Sequence, residues 1–160
     1  MQKIEDVDKV TVKISYLNQS YIFHLIAFWQ VFIEDLLDYS LHLLRKKNFD
    51  EVMCKLLENS FKAKLRRFNT PSCANIDQLF KDTLGIEKIS NSWNVLDGIQ
   101  QLPKDLLKEL LIARHQIAHT GKTNSLLEFN KNFEQMTALF KMAELMENEL
   151  TEYISKLTKN

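Results

Sequence analysis

Apolar residues recur every three or four positions along most of this chain, and only three glycines and two prolines interrupt them. Such spacing places the apolar side chains on one face of an α-helix, whereas a half-buried strand would show strict alternation. Hydrophobic residues make up 45% of the 160 residues, with ten phenylalanines, so the chain can bury a core. We predict an all-α fold, a bundle of four to six helices with two long ones, in a single domain over residues 1–160.

The most strongly patterned helix begins at Leu17. Apolar residues occupy positions 17, 21, 25, 28, 32, 36, 39 and 43, and a second stripe follows at 22, 26, 29, 33, 37, 41 and 44. Two adjoining stripes form a wide apolar face, so we expect this helix to be the best-buried element. The first dozen residues fit a strand or a helix, and we favour the helix.

Other helix boundaries are predicted from capping residues. Three pairs have the spacing of a capping box: Asn48 with Glu51, Asn75 with Gln78, and Ser125 with Glu128. Two helices should end at glycines, Gly85 and Gly121. Pro103 suits the first turn of the helix that Gly121 closes. A short helix is also predicted over Ser90–Gln101, with Trp93, Leu96 and Ile99 on one face.

The final helix carries a stripe rich in phenylalanine. Its members are Leu126, Phe129, Phe133, Met136, Phe140, Ala143, Leu150, Tyr153 and Leu157. Helical spacing keeps these side chains on one face, and we interpret that face as part of the core.

Charge and cysteine content restrict the class of protein. The formal net charge is zero, so an anionic partner must be met by a local basic patch. Cys54 and Cys73 have neither metal-type spacing nor a disulfide framework, which favours a reducing cytoplasm. The apolar run Tyr21–Ile33 is shorter than the roughly 20 residues that a membrane span needs. We therefore expect a cytoplasmic protein that has no membrane partner.

One cation interrupts an apolar stripe. In the helix before Gly121 the stripe runs Leu107, Leu111, Arg114 and Ala118. A guanidinium on a core-facing stripe is costly unless an anion or a wet cleft receives it. A phosphate group is one such anion, and an internal carboxylate such as Glu34 or Asp38 is the structural alternative.

His119 follows Arg114 by five residues, near the predicted helix end. An imidazole can transfer protons near neutral pH, and a guanidinium can stabilise charge on a phosphorane. Those are the roles that metal-free cleavage of an RNA phosphodiester requires. On a regular helix the two residues point about 140° apart. They would meet one substrate where the helix unwinds, or across a homodimer interface.

A metal site is the competing interpretation of this segment. His115 and His119 lie four residues apart, a spacing that can chelate zinc, with Glu34 or His24 as a third ligand. The zinc-protease motif needs a glutamate where Gln116 stands. We therefore predict neither a metal nor a cofactor.

The run Arg114-His115-Gln116-Ile117-Ala118-His119 resembles the Arg-x4-His motif of the HEPN superfamily of ribonucleases. The resemblance implies an up-and-down helical bundle, often dimeric, that cleaves RNA without metal and leaves a 2′,3′-cyclic phosphate. It also implies a toxin or antiviral defence effector, with a cognate antitoxin or another regulatory protein as a partner. The catalytic residues would be Arg114 and His119. His115 replaces the usual Asn or Asp, and Glu34 matches an acidic residue on the family's first helix, both in supporting roles.

Basic residues outside the motif are candidate contacts to RNA. Lys62 and Arg66 share a helix face, and Lys122 directly follows the motif. An ordinary solvated face is the alternative for the first two. For the whole chain, the alternatives to an enzyme are a catalytically silent interaction module and a helical scaffold.

Overall fold

The computed structural model describes residues 2–95, 102–124 and 128–157, with side chains described outside residues 2–8 and 95. These ranges contain five α-helices and one 3-10 helix, and no strand. The elements are α1 (Gln2–Lys46), α2 (Glu51–Leu65), α3 (Cys73–Leu84), the 3-10 helix (Ile89–Val95), α4 (Pro103–Thr120) and α5 (Phe129–Leu157). The all-α bundle is confirmed, and so is the helical reading of the first dozen residues.

Helix α1 is the central helix of the bundle and packs against α2, α4 and α5. The stripe that its core uses is the second one: Ile22, Ile26, Trp29, Ile33, Leu37, Leu41 and Leu44 are buried. The first stripe is only partly covered, and Leu17 and Phe28 are each 69% exposed. The prediction of a wide buried face was therefore right for one stripe and wrong for much of the other.

Two hydrogen bonds set the position of α5 along the axis of α1. The hydroxyl of Tyr21 donates to the carbonyl oxygen of Asn132 at 3.2 Å. The side-chain amide of Asn132 donates to the Oδ1 of Asn18 at 2.8 Å. These two hydrogen bonds set which residues of the two helices lie side by side.

Length and apolar composition would allow α1, over Lys9–Lys46, to cross a membrane. The core helix of a folded bundle passes the same test, and here the stripe from Ile22 to Leu44 is buried against other helices.

Two of the predicted caps lie at the wrong residue. Asn48 has a left-handed backbone with φ of 58° in the turn after α1, so Asp50 caps α2 and accepts from the Met53 amide at 2.9 Å. Ser72, not Asn75, caps α3 and accepts from the Asn75 amide at 3.3 Å. In both cases a nearer polar side chain satisfies the free amides of the first turn.

The predicted glycine ends are confirmed. Gly85 and Gly121 close α3 and α4 with left-handed backbones, at φ of 78° and 69°. Pro103 opens α4. The expected helix over Ser90–Gln101 is a 3-10 helix that starts at Ile89, and Leu96 and Ile99 lie outside the described residues.

The interpretation of the α5 stripe as core is wrong for its phenylalanines and right for Leu150, which is buried, with Ala143 and Tyr153 half-buried against the core. Phe129, Phe133 and Phe140 are 78%, 56% and 65% exposed. The buried face of α5 consists of Asn132, Gln135, Ala138, Leu139, Met142, Met146, Leu150 and Ile154. The adjoining, less aromatic face packs on α1 and the 3-10 helix. The predicted cap Ser125 and the stripe residue Leu126 lie outside the described residues.

Candidate functional site

The C-terminal half of α4 carries the residues that the sequence singled out. Helix α4 packs its Leu106, Leu107, Leu110 and Ala113 into the core. The core-facing line therefore passes through Ala113 and not through Arg114. Leu111 is half-buried and Ala118 is exposed, so the predicted stripe is displaced by one position and Arg114 lies at its edge.

Arg114 is half-buried against α1, where its guanidinium carbon lies 5.4 Å from the ring centroid of Phe23. This is the geometry of a cation–π contact, which holds the planar cation while its edge stays available to accept a ligand. Within the described part of the chain, Arg114 forms no ion pair with an acidic side chain. The structural alternative, an internal pair with Glu34 or Asp38, is therefore not what the structure contains.

The two histidines of the motif lie together on the surface of α4. The ring centroids of His115 and His119 are 4.3 Å apart, and both side chains are exposed. Residues four apart face the same side of a helix, which accounts for the contact. The pair offers two proton-transfer groups on one surface.

The helix stays regular to the end of the motif. It runs to Thr120, and the amide of Gly121 donates to the carbonyl oxygen of Ile117 at 2.9 Å. Arg114 and His119 consequently keep an angular separation of about 140° around the helix. The exposed methyl of Ala118 lies between them and leaves the surface open.

The side chain of Gln116 forms hydrogen bonds with the loop that follows the motif. This role was not predicted from the sequence. Its Oε1 accepts from Thr123 Oγ1 at 2.7 Å and from the Asn124 amide at 3.2 Å. The hydroxyl of Thr120 donates to the carbonyl oxygen of Lys122 at 3.0 Å. The sequence does contain a signal for this role: a glutamine stands one turn before the helix end, and the loop amides after it need hydrogen-bond acceptors. These bonds hold the loop that contains exposed Lys122 against the end of α4.

Glu34 is not brought to this site. Its Oε1 accepts from Gln30, whose amide also donates to the carbonyl oxygen of Phe68 after α2. Along α1, Glu34 is eleven residues from Phe23, which corresponds to about 16 Å of helix axis. That separation is too long for a carboxylate to orient Arg114 directly.

The basic cluster of α2 is partly neutralised. Lys62 Nζ lies 2.6 Å from Glu58 Oε1, and Lys64 Nζ lies 2.6 Å from Asp82 Oδ2. The hydrogen bond from Lys62, together with Arg45, lowers the pKa of the Glu58 carboxyl below its usual value. Arg66 is exposed just after the end of α2. Lys62 is thus a weaker candidate for an RNA contact than Arg66.

No group of three or more potential metal ligands occurs among the described residues. His24, a conceivable third ligand for the His115–His119 pair, is exposed on α1 and bonds through Nδ1 to the carbonyl oxygen of Ser20 at 2.7 Å. The structure does not bring it to the pair as a ligand.

Comparison with known proteins identifies one family. A family model described as RiboL-PSP-HEPN matches residues 1–156. Neither the curated proteins nor the solved structures contain a significant match. Membership is consistent with a ribonuclease or a nucleotide-binding module, and it leaves the reacting residues to be argued from the site.

Proposed function

The chain belongs to the RiboL-PSP-HEPN family, and we propose that it is a metal-independent endoribonuclease, acting as a toxin or antiviral defence effector in the cytoplasm. It cleaves RNA by attack of the 2′-hydroxyl and leaves a 2′,3′-cyclic phosphate and a 5′-hydroxyl. The supporting observation is the exposed end of α4, where the Arg114 guanidinium, held on the ring of Phe23, is followed by two imidazoles whose ring centroids lie 4.3 Å apart.

Arg114 supplies charge stabilisation in this proposal. The ring of Phe23 lies against the guanidinium, so the N–H groups at its edge can donate to non-bridging phosphate oxygens. As the 2′-oxygen attacks, negative charge grows on those oxygens, and the fixed cation binds the phosphorane more strongly than the ground state.

His119 and His115 carry out proton transfer in this proposal. The reaction needs a base for the 2′-hydroxyl and an acid for the leaving 5′-oxygen. His119 is the principal proton-transfer residue, because it occupies the motif position. His115, with its ring 4.3 Å from that of His119, is placed to supply or orient the second group. Lys122 and Arg66 would contact the RNA backbone.

Assembly of the site involves a homodimer. Because α4 is regular to Thr120, one copy holds Arg114 and His119 on sides about 140° apart. Two copies that meet through the exposed end of α4 would place Arg114 of one beside His119 of the other. A cognate antitoxin or another regulatory protein would control access to this surface.

The direct test is cleavage of a structured RNA in EDTA. Arg114→Ala and His119→Ala should each lower kcat by about 100-fold or more, and His115→Ala should lower it less. His24→Ala is the matched control, since it removes an exposed surface histidine from α1. The wild-type product should carry a 2′,3′-cyclic phosphate. Full activity in both variants, or loss of wild-type activity with chelator, contradicts the mechanism.

A mixing experiment separates a shared site from a site within one copy. Arg114→Ala and His119→Ala chains are each inactive in the proposal, but a mixed dimer contains one cleft with an intact Arg114 and His119. Mixing them should restore up to about half of the activity per dimer formed. Absence of any restoration, with mixed dimers present, would place both groups in one copy.

The second candidate is a catalytically silent module that binds a nucleotide, an RNA or an antitoxin. The angular separation of Arg114 and His119 within one copy favours it. Such a module would retain binding, and that binding would weaken in Arg114→Ala, while cleavage would be absent from the wild type under every condition.

A further inference from the structure

Helix α1 carries a long apolar stripe that the bundle covers only in part: Tyr21, Leu25 and Phe32 are half-buried against the core, and its other members are exposed. We use the term open stripe for Val10, Ile14, Leu17, Tyr21, Leu25, Phe28 and Phe32. Val10, Ile14, Leu17 and Phe28 are 55%, 53%, 69% and 69% exposed. Their spacing of three and four residues keeps all seven on one side of the helix.

Helix α5 extends this apolar surface. Phe129, Phe133, Met136 and Phe140 lie on its exposed side, at 78%, 56%, 39% and 65% exposure. Between the two helices is a groove of about 430 Å³, lined among others by Leu25, Phe28, Phe32, Met136 and Phe140. The two exposed faces are therefore continuous across the groove.

Residues 9–17 of α1 lie outside the packed core. Every side chain from Lys9 to Leu17 is exposed, while the helix itself begins at Gln2. The stretch from Gln2 to Leu17 corresponds to about 24 Å of helix. A helix of that length gains little stability from its own hydrogen bonds and depends on packing. We call residues 9–17 the arm.

The open stripe faces away from the candidate site. Phe23 contacts Arg114 of α4, and Phe28 lines the groove with α5. Phe23 and Phe28 are five residues apart, so their side chains point about 140° apart around the helix. The angle between Phe23 and the middle of the stripe is larger still. A contact through the stripe consequently leaves the Arg114–His119 segment uncovered.

We propose that the arm of a second copy occupies the groove. The stripe is symmetric about Tyr21: Leu17 and Leu25 are equally distant from it, as are Ile14 and Phe28, and Val10 and Phe32. An antiparallel pair of α1 helices with its twofold axis at Tyr21 places the partners of each pair opposite one another. Asn132 lies at the level of Tyr21, so the axis also passes beside Phe133.

The exposed area suits a stable dimer. At about 200 Å² per aromatic side chain, the four exposed phenylalanines Phe28, Phe129, Phe133 and Phe140 present on the order of 500 Å². The aliphatic part of the stripe adds a few hundred Å² more. The sum exceeds the roughly 300–600 Å² patch of a typical monomer and approaches the roughly 800 Å² per partner of a standard interface.

The first test uses a matched pair of variants on the arm. Ile14 and Val12 are both β-branched and are 53% and 52% exposed, but Val12 points about 180° away from the middle of the stripe. Light scattering should give the wild type a mass of at least two chains. Ile14→Glu should halve that mass and raise Kd at least about tenfold, since it places a carboxylate against apolar groups. Val12→Glu should keep the wild-type mass. A monomeric wild type, or equal effects of the two variants, overturns the proposal.

The second test checks the register by disulfide cross-linking. Copies with Ile14→Cys are mixed with copies with Phe28→Cys and oxidised, with the wild type as blank for its own two cysteines. The mixture should form a covalent dimer, whereas in either variant alone the new cysteines lie about 20 Å apart across the axis. Cross-linking in a single variant, or none in the mixture, refutes this register.

The inference does not rest on RNA cleavage, because both tests measure mass and geometry. If the α4 contact also forms, the wild type assembles beyond a dimer, and Ile14→Glu reduces it to a dimer. A membrane is the other occupant of an apolar face of this kind. If the wild type is monomeric and sediments with phosphatidylcholine vesicles, while Phe28→Glu does not, the face binds lipid and the dimer proposal is wrong.

Discussion

The contact between Phe23 and Arg114 should be measurable as a coupling free energy. The guanidinium carbon lies 5.4 Å from the ring centroid, the ring is 39% exposed and Arg114 is half-buried. A cation–π contact in such a partly solvated place is worth about 0.5–1 kcal/mol. Phe23→Leu keeps an apolar side chain and Arg114→Gln keeps a long polar one, so each removes the contact alone. We expect the four-variant cycle to give a coupling of about 0.5–1 kcal/mol in the free energy of unfolding.

The assay is urea denaturation followed by circular dichroism, with the four proteins compared at one urea concentration inside their transitions. The same contact should orient the guanidinium toward substrate, so Phe23→Leu should lower kcat/KM about two- to fivefold. Phe49→Leu is the control, because Phe49 is 37% exposed and follows the other end of α1. A coupling of zero, or equal losses of activity in the two leucine variants, would refute the role of the ring.

Three further outcomes follow from the structure. Gln116→Leu removes an acceptor of two hydrogen bonds, so amide exchange in residues 122–124 should accelerate and the free energy of unfolding should fall by about 1–2 kcal/mol; unchanged exchange would show that the loop is held otherwise. Gly121→Ala should lower the free energy of unfolding by about 1 kcal/mol in a urea titration, because the φ of this residue is 69° and an added Cβ would meet no atom within 4 Å, so that only backbone strain acts. Burial raises the pKa of the Cys54 thiol, so iodoacetamide at neutral pH should modify half-buried Cys73 first; faster labelling of Cys54 would contradict the packing of α2.

Much of the candidate site could be predicted because its determinants are local. The spacing of His115 and His119 puts them on one helix side, and their rings do meet. Gly121 ends the helix where a left-handed residue is needed. The role of Gln116 depends on loop donors only a few residues away, so it was within reach of the same reasoning.

Other parts of the site could not be predicted. Arg114 was expected on the core-facing line, but α4 is rotated so that Ala113 takes that place. The partner of Arg114 is Phe23, which is 91 positions away and belongs to another helix. Glu34 lies on the expected helix, α1, but about 16 Å along its axis from Phe23, which is too far to reach Arg114. Each of these depends on how two helices are rotated and shifted against each other, which spacing within one helix does not encode.

The sequence by itself determined that the chain is all helical, that two helices end at Gly85 and Gly121, and which helix carries the Arg114–His119 segment. Those properties follow from hydrogen bonds and side-chain spacing within about one turn of backbone. Only the tertiary structure decided which of two adjoining apolar faces is buried. On α5 the core took the side with Asn132, whose amide pairs with Asn18, and it left Phe133 exposed. Burial is a property of the neighbours that a helix meets, so a face that is apolar in sequence becomes core only when another element packs on it.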